Sequence, residues 1–261
     1  MIGRRGAIAL SALTEVVQPA SASGPADGQA AGKKLRQVNI VLVPRMVQLD
    51  VTGPFEVLAR VPGWNVSLVG ATMEPVRTDR GLRIVPDATR ETAALADLLV
   101  VPGGTGVDFA MLDPAWIAFV QRHAASAEHV FGICTGSLLL AAAGLLDGRR
   151  AGGHWQARDL LAQFGVTPSD ERVTVDGRYY TSGGVTSGID VALQVVADLE
   201  GETVARKIQL AIEYDPHPPF PGGTPSTSPA EIVQAILSDS RARRAEREGM
   251  VAQAAEKLRA R

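Results

Sequence analysis

The stretch that most limits what this chain can fold into is His129 to Leu140, HVFGICTGSLLL. A short apolar run of strand type meets a tight turn at Cys134 and continues as a helical pattern. Gly132-Ile133-Cys134-Thr135-Gly136 has the spacing of a nucleophile elbow with cysteine at its apex. The flanking glycines relieve the crowding that arises where a strand turns sharply into a helix. At a helix N-terminus the sulfur is expected to feel unpaired backbone N–H groups and the positive end of the helix dipole, both of which favour thiolate over thiol. The competing reading is a buried cysteine that fills space between strand and helix. Cys134 is the only cysteine in the chain, so no internal disulfide exists and the thiol is explained either by packing or by reactivity.

The segments around the elbow alternate strand and helix patterns. Asn39 to Val43, Asn65 to Val69 and Asp97 to Val101 read as apolar strands. Helices are expected from Thr52 to Arg60 with Pro54 in the first turn, from the Asp113-Pro114 cap to Ala124, and from Ser137 to near Gly144. Further helical patterns run from Trp155 to Phe164, closed by Gly165, from the Thr186 cap to Leu199, and from Thr203 to Tyr214. Hairpins are expected at Glu74 to Pro86 across Asp79-Arg80-Gly81 and at Arg172 to Ser182 across Asp176-Gly177, and a short strand over Gly148 to Gly153. This rhythm predicts an α/β fold with a mostly parallel sheet covered on both faces.

The fold is expected to occupy residues 38 to 237. Residues 1 to 37 are rich in Ala, Gly, Ser and Pro and are set apart as a disordered or signal-like extension. Arg4-Arg5 ahead of the apolar Gly6 to Leu13, with Ala20-Ser21-Ala22 as a cleavage site, suggests twin-arginine export to the periplasm or exterior, and the alternative is a cytoplasmic protein with an unfolded tail. At the other end, residues 238 to 261 read as a charged helix or tail whose seven basic residues from Arg241 onward are interspersed with acids, which suits a solvated face or a partner helix. A net charge of −2 gives no reason to expect nucleic acid, and no apolar run approaches the roughly 18 to 20 residues that span a bilayer. The four histidines show no close ligand pairing, so no metal site is expected.

A thiolate nucleophile needs a proton handler, a place to stabilise developing charge, and exclusion of water. Asp50, in MVQLD just past the carboxyl end of a strand, is the leading proton handler. Its alternative role is an N-cap for the helix that starts at Thr52. A carboxylate beside the thiol would raise the thiol's pKa, so the two groups are expected to share one proton. The turn Pro102-Gly103-Gly104-Thr105-Gly106 lacks the glycine or alanine that a dinucleotide fingerprint needs at position 109, which is Phe109. Its glycines are better used to bring backbone N–H groups close to a ligand.

The strings VQLDVTGPFEVL, VPGGTG, GICTGSLLLAAAGLLDGRRA, SGGVTSGID and IEYDPHPPF closely resemble the isocyanide hydratase branch of the ThiJ/PfpI superfamily, over residues 38 to 235. The resemblance implies a flavodoxin-like three-layer α/β sandwich, a homodimer, and no cofactor. It implies that Cys134 attacks the terminal carbon of an isocyanide while Asp50 delivers a proton, and that water hydrolyses the resulting thioimidate to an N-formamide. By the same resemblance, backbone N–H groups of Gly103, Gly104 and Thr135 polarise the substrate, the Thr135 hydroxyl holds the Asp50–Cys134 geometry, and Val185 lies near the cysteine. Relatives commonly read ATTHW where this chain has Ala151-Gly152-Gly153-His154-Trp155, which opens the pocket or removes a hydrogen bond. His154 is either a structural histidine beside Trp155 or a base toward Cys134. Other functions of the same cysteine are glyoxalase- or deglycase-like chemistry on reactive carbonyls, a ligand-sensing module such as those of arabinose-regulator-type transcription factors, and a redox sensor.

Overall fold

The computed structural model of the chain describes residues 35–260. The export motif considered at Arg4-Arg5 and Ala20-Ser21-Ala22 lies outside them. Chain order is β1 (Arg36–Val41), α1 (Gln48–Leu58), β2 (Trp64–Gly70), β3 (Val76–Arg77), β4 (Arg83–Ile84), β5 (Ala88–Thr89), β6 (Leu98–Val101), α2 (Gly106–Ala110), α3 (Pro114–Ser126), β7 (His129–Ile133) and α4 (Gly136–Ala142). There follow β8 (Arg150–Ala151), a 3-10 helix (Arg158–Phe164), β9 (Thr167–Pro168), β10 (Val173–Asp176), β11 (Tyr179–Ser182), α5 (Ser187–Glu200), α6 (Glu202–Ala211), α7 (Ala230–Asp239) and α8 (Arg241–Arg259).

The main sheet has seven strands in the order β10-β11-β7-β6-β1-β2-β5. Every pairing in it is parallel except the β10–β11 hairpin at one edge. All four residues of β6 are buried, as are the last four of β1 and β7, because helices cover both faces. On one side α1 packs against α5 and α5 against α6, while α4 packs against α3, α8 and the 3-10 helix on the other. The chain runs outward from β1 through β2 to β5 and then returns to the other flank of β1 as β6. Strand order therefore reverses between β1 and β6. At such a switch point the loops leaving the strand carboxyl ends diverge and open a crevice. The loop after β1 leads to Asp50, the turn after β6 holds Gly103 and Gly104, and β7 delivers Cys134.

Both expected hairpins form. Val76 pairs with Ile84 in the first, and in the second Asp176 pairs with Tyr179, which makes the two-residue loop Gly177-Arg178, one position later than expected. Asp113 caps α3 through its side chain, which accepts the N–H of Ala115 at 2.8 Å. Gly165 closes the 155–164 segment in the left-handed conformation, but the regular part is a 3-10 helix that starts only at Arg158.

Two expectations are corrected. Helix α1 begins at Gln48 rather than Thr52, after an N-cap at Val47 that has no side-chain hydrogen bond, so no capping residue marks its start. Pro54 lies inside the helix, where its missing N–H simply leaves the Asp50 carbonyl without its usual partner. The charged C-terminal segment, set apart from the fold at residue 238, forms helix α8 and belongs to the same compact unit. In α8, Val251, Ala254 and Ala255 are buried against the core, and Arg247 is only 3% exposed. The Arg247 guanidinium meets Asp108 of α2 through Nε and Nη2 at 2.7 and 3.0 Å.

Burial of Asp108 outweighs its guanidinium partner and leaves its pKa raised, so the ion pair is held by the packing around it and adds little by itself. Breaking it is a different matter. Asp108→Ala, which strands a buried guanidinium, is expected to destabilise the fold by about 3–5 kcal/mol in urea unfolding, whereas Asp108→Leu combined with Arg247→Met recovers most of that loss. Equal losses in the single and double variants would contradict this account.

Candidate active site

The elbow is built as its glycines require. Cys134 has φ of +56°, a left-handed conformation that a side chain adopts only when its surroundings force it. The turn brings Gly136 so close to β6 that a Cβ there would stand 2.0 Å from the Val101 carbonyl oxygen. Backbone hydrogen bonds hold the strained residue on both sides: Cys134 N–H donates to Ser182 O, and Cys134 O accepts the N–H of His154, each at 3.2 Å.

Asp50 is fully buried in the first turn of α1. Its Oδ2 accepts the N–H of Gly103 at 2.9 Å, Oδ1 has no N–H or O–H partner, and the carboxyl interacts with the Cys134 thiol. It is therefore not a helix cap. Thr135 does something other than expected. Its hydroxyl accepts the N–H of Gly104 at 2.9 Å and donates to Gly104 O at 3.2 Å, so it joins the elbow to the glycine turn rather than holding Asp50. Of the three N–H groups assigned to substrate polarisation, the two on the glycine turn are consequently occupied, that of Gly103 by Asp50 and that of Gly104 by Thr135. The N–H of Thr135 donates to the Cys134 sulfur. Gly103 admits no side chain, for a Cβ would lie 2.5 Å from Thr135 N and 2.9 Å from the Cys134 Cβ.

The electrostatics correct the expectation of a thiolate favoured at rest. Burial pushes the Cys134 thiol well up, and the charge of Asp50 pushes it further, against a smaller opposing effect of the Thr135 N–H. Burial also pushes Asp50 up to about 7, although the Gly103 N–H and the thiol both stabilise its carboxylate. Above about pH 7 the pair therefore holds one proton, with the sulfur as its resting place, and below it two. Cys134 is 4% exposed, and burial favours its protonated form, the less reactive one toward oxidants.

Above the sulfur lies a cavity of about 370 Å³. Cys134, Thr135, Gly104, His154 and Val185, all singled out in the sequence, line it together. His154 is pushed down to about 4 by burial and by Arg247 and Arg243, so its ring is neutral at physiological pH and has no proton to give as a cation. Its Nδ1 faces the N–H of Gln156 at 3.4 Å, and its ring lies tilted against Trp155 with centroids 5.9 Å apart. Gly152 and Gly153 do not open this cavity. A Cβ on Gly152 would stand 3.2 Å from Thr174 Oγ1, a buried hydroxyl without a partner.

Sequence reading missed the remainder of the lining. Gln48 and Leu49 enter because α1 starts early, Asp79 and Arg80 come from the β3–β4 turn, and Arg243 and Arg247 come from α8. The signal for α8 was present: Arg243 and Arg247 continue at helical spacing into Val251, Ala254 and Ala255, so one face runs from cations into the core. Among the described residues no cluster of three or more His, Cys, Asp or Glu is arranged to hold a metal ion.

Comparison with known proteins fits this geometry. The model of the family described as DJ-1/PfpI matches residues 36–198. The chain is 44% identical over 197 residues to an isonitrile hydratase of Pseudomonas putida, covering 76% of this chain and 86% of that one. It is 30% identical to the glutathione-independent glyoxalase DJR-1.2 of Caenorhabditis elegans, over 59% of this chain and 82% of that one. A ThiJ/PfpI family protein from Pseudomonas syringae, known from its crystal structure, superposes with a TM-score of 0.81 at 36% identity, covering 88% of this chain and 97% of that one.

The buried carboxyl makes stability depend on pH. The folded chain keeps the Asp50 proton up to about pH 7, while the unfolded chain releases it near 3.8, so stability falls as pH rises between those values and levels off above them. Asp50→Asn escapes this loss. It should match the natural protein near pH 4 and exceed it by up to about 4 kcal/mol at pH 8 in urea unfolding, and a difference that does not widen with pH would rule out a buried ionisation at this position.

Proposed function

The chain belongs to the DJ-1/PfpI family, and from that premise we propose that it hydrates isocyanides to N-formamides, with Cys134 as nucleophile and Asp50 as the group that moves the proton. The carrying observation is the buried Cys134 thiol beside the buried Asp50 carboxyl, under a cavity that a small molecule can enter. The similarity to an isonitrile hydratase over most of both chains supports the choice of substrate, since an isonitrile is an isocyanide.

The terminal carbon of an isocyanide carries a lone pair and also accepts a nucleophile. Its conversion therefore requires a proton and an electron pair at the same atom. In the proposed reaction the thiol proton passes through Asp50 to that carbon while the sulfur bonds to it, giving a thioimidate, R–N=CH–S–Cys134. The Thr135 N–H steadies the sulfur as its charge changes. Asp50, again a carboxylate, then takes a proton from water that adds to the same carbon. The nitrogen is protonated, the carbon–sulfur bond breaks, and R–NH–CHO leaves with the thiol restored. The thiol proton ends on the formyl carbon, and the two protons of the added water supply the nitrogen and restore the thiol, so one water is consumed and nothing is oxidised. His154, neutral at working pH, serves as a wall of the site rather than as its base.

Cys134→Ala is expected to abolish formamide production from cyclohexyl isocyanide, as read by product chromatography, and retained turnover would end the proposal. Asp50→Asn should lower kcat by about 10²–10⁴-fold with the thiol still present. In the natural protein kcat/KM should rise about tenfold per pH unit below about 7 and level off above it, as the pair loses its second proton. Asp50→Asn should lose that acid limb.

A further inference from the structure

The cavity over Cys134 has a mixed lining. Val47, Leu49 and Val185 give it apolar walls, whereas the β3–β4 turn and α8 bring three guanidinium groups, Arg80, Arg243 and Arg247, to its lining. Two of these are already balanced. Arg247 is gripped by both oxygens of Asp108, and Arg80 lies 3.4 Å from Asp79. Among the described residues Arg243 has no hydrogen bond or ion pair; Glu246 on the same helix does not reach it, and the nearby Asp108 is committed to Arg247.

Arg243 is exposed, but the helix that carries it is held in place by its neighbours. Next to it, Arg244 grips both oxygens of Asp159 at 2.8 and 2.5 Å and donates to Gln156 O at 2.7 Å. One turn on, Arg247 is anchored in the core. Gln156 Nε2 donates to Ser240 Oγ at 2.8 Å, which fixes the start of the helix. Residues 243 and 247 lie four apart on one helix face, and both line the same cavity as Cys134. The result is an exposed cation on a fixed helix, with no ion pair among the described residues, in the lining of the site that holds the reactive sulfur.

We propose that Arg243 selects isocyanides whose nitrogen substituent carries a carboxylate or a similar anionic group, by pairing with that group while the isocyanide carbon meets Cys134. This rests on the hydratase reading for its reaction and deepens it with a substrate class. The C–N≡C unit is linear, so a substrate seated carbon-first on the sulfur projects its substituent away from the elbow and toward α8. A carboxylate there gains a charge-assisted hydrogen bond, whereas an uncharged substituent gains only contact with the apolar walls.

Two ratios test this separately from the hydratase reading. The first is kcat/KM for isocyanoacetate over that for cyclohexyl isocyanide. It should fall about tenfold or more in Arg243→Ala, fall further in Arg243→Glu, and recover in part in Arg243→Lys. The second is the rate of Cys134 alkylation by iodoacetate over that by iodoacetamide, in which the sulfur–carbon bond forms, iodide leaves and the thiol proton is released. It needs no hydratase activity, and Cys134 is the only thiol to be read. It should fall in the same variants in the same order. If the first ratio is unchanged by Arg243→Ala and Arg243→Glu, the proposal is overturned. If the natural protein hydrates no isocyanide, the hydratase reading fails, and the alkylation ratio alone decides whether Arg243 recruits anions to Cys134: a fall upholds it and an unchanged ratio overturns it.

Discussion

A proton held between two buried groups, neither of which ionises readily, is the constraint from which the rest of the site follows. Cys134 and Asp50 lie on different segments, one at the end of β7 and the other in the first turn of α1, and each has been taken out of water. Placing them against each other requires the elbow's strained φ and a β6 turn with no side chain at Gly103. It also requires something to hold three loops in register. Two short links do this: the Gly103 N–H on the Asp50 carboxyl and the Thr135 hydroxyl on both polar groups of the Gly104 peptide. The backbone N–H groups that seemed free to bind a ligand are thus consumed in assembling the site itself.

Relative magnitudes explain why the sulfur is a thiol at rest. A helix N-terminus offers an anion about 0.3–1 kcal/mol at an exposed position and up to ~2 in a favourable buried one. Removing a group from water shifts its pKa by up to about 3–5 units, each worth 1.36 kcal/mol. With the sulfur 4% exposed and a carboxyl beside it, the larger effect wins. In the proposed reaction, nucleophilic character then arises as the proton is transferred.

Much of this architecture was legible in the sequence because it depends on local rules. The elbow spacing, the apolar strands, the Asp113-Pro114 cap and the Gly165 stop are each set by residues within a turn of one another, and each appears where it was expected. Asp50, Cys134, Thr135, Gly103 and Gly104 were named and do come together. Their bonding partners were not legible, since whether Thr135 reaches Asp50 or Gly104 depends on how three separate loops approach. The start of α1 was misplaced because Val47 offers no cap and Pro54 suggested a later first turn. The charged C-terminal segment was read by composition, and composition conceals that a single face of a helix can be buried. Its arginines have carboxylates waiting at Asp108 and Asp159, more than eighty positions earlier.

Helix α8 gives the cavity two of its arginines, yet it contributes neither member of the thiol–carboxyl pair. In the proposed reaction, bond-making and the choice of guest therefore fall to stretches far apart in the chain, joined only through the fold. A lineage carrying this fold can redraw the entrance by altering a few exposed positions on a terminal helix, while the elbow, the glycine turn and the first turn of α1 drift under their own separate constraints. Diversification of what enters, over chemistry that stays fixed, is what such a partition makes easy.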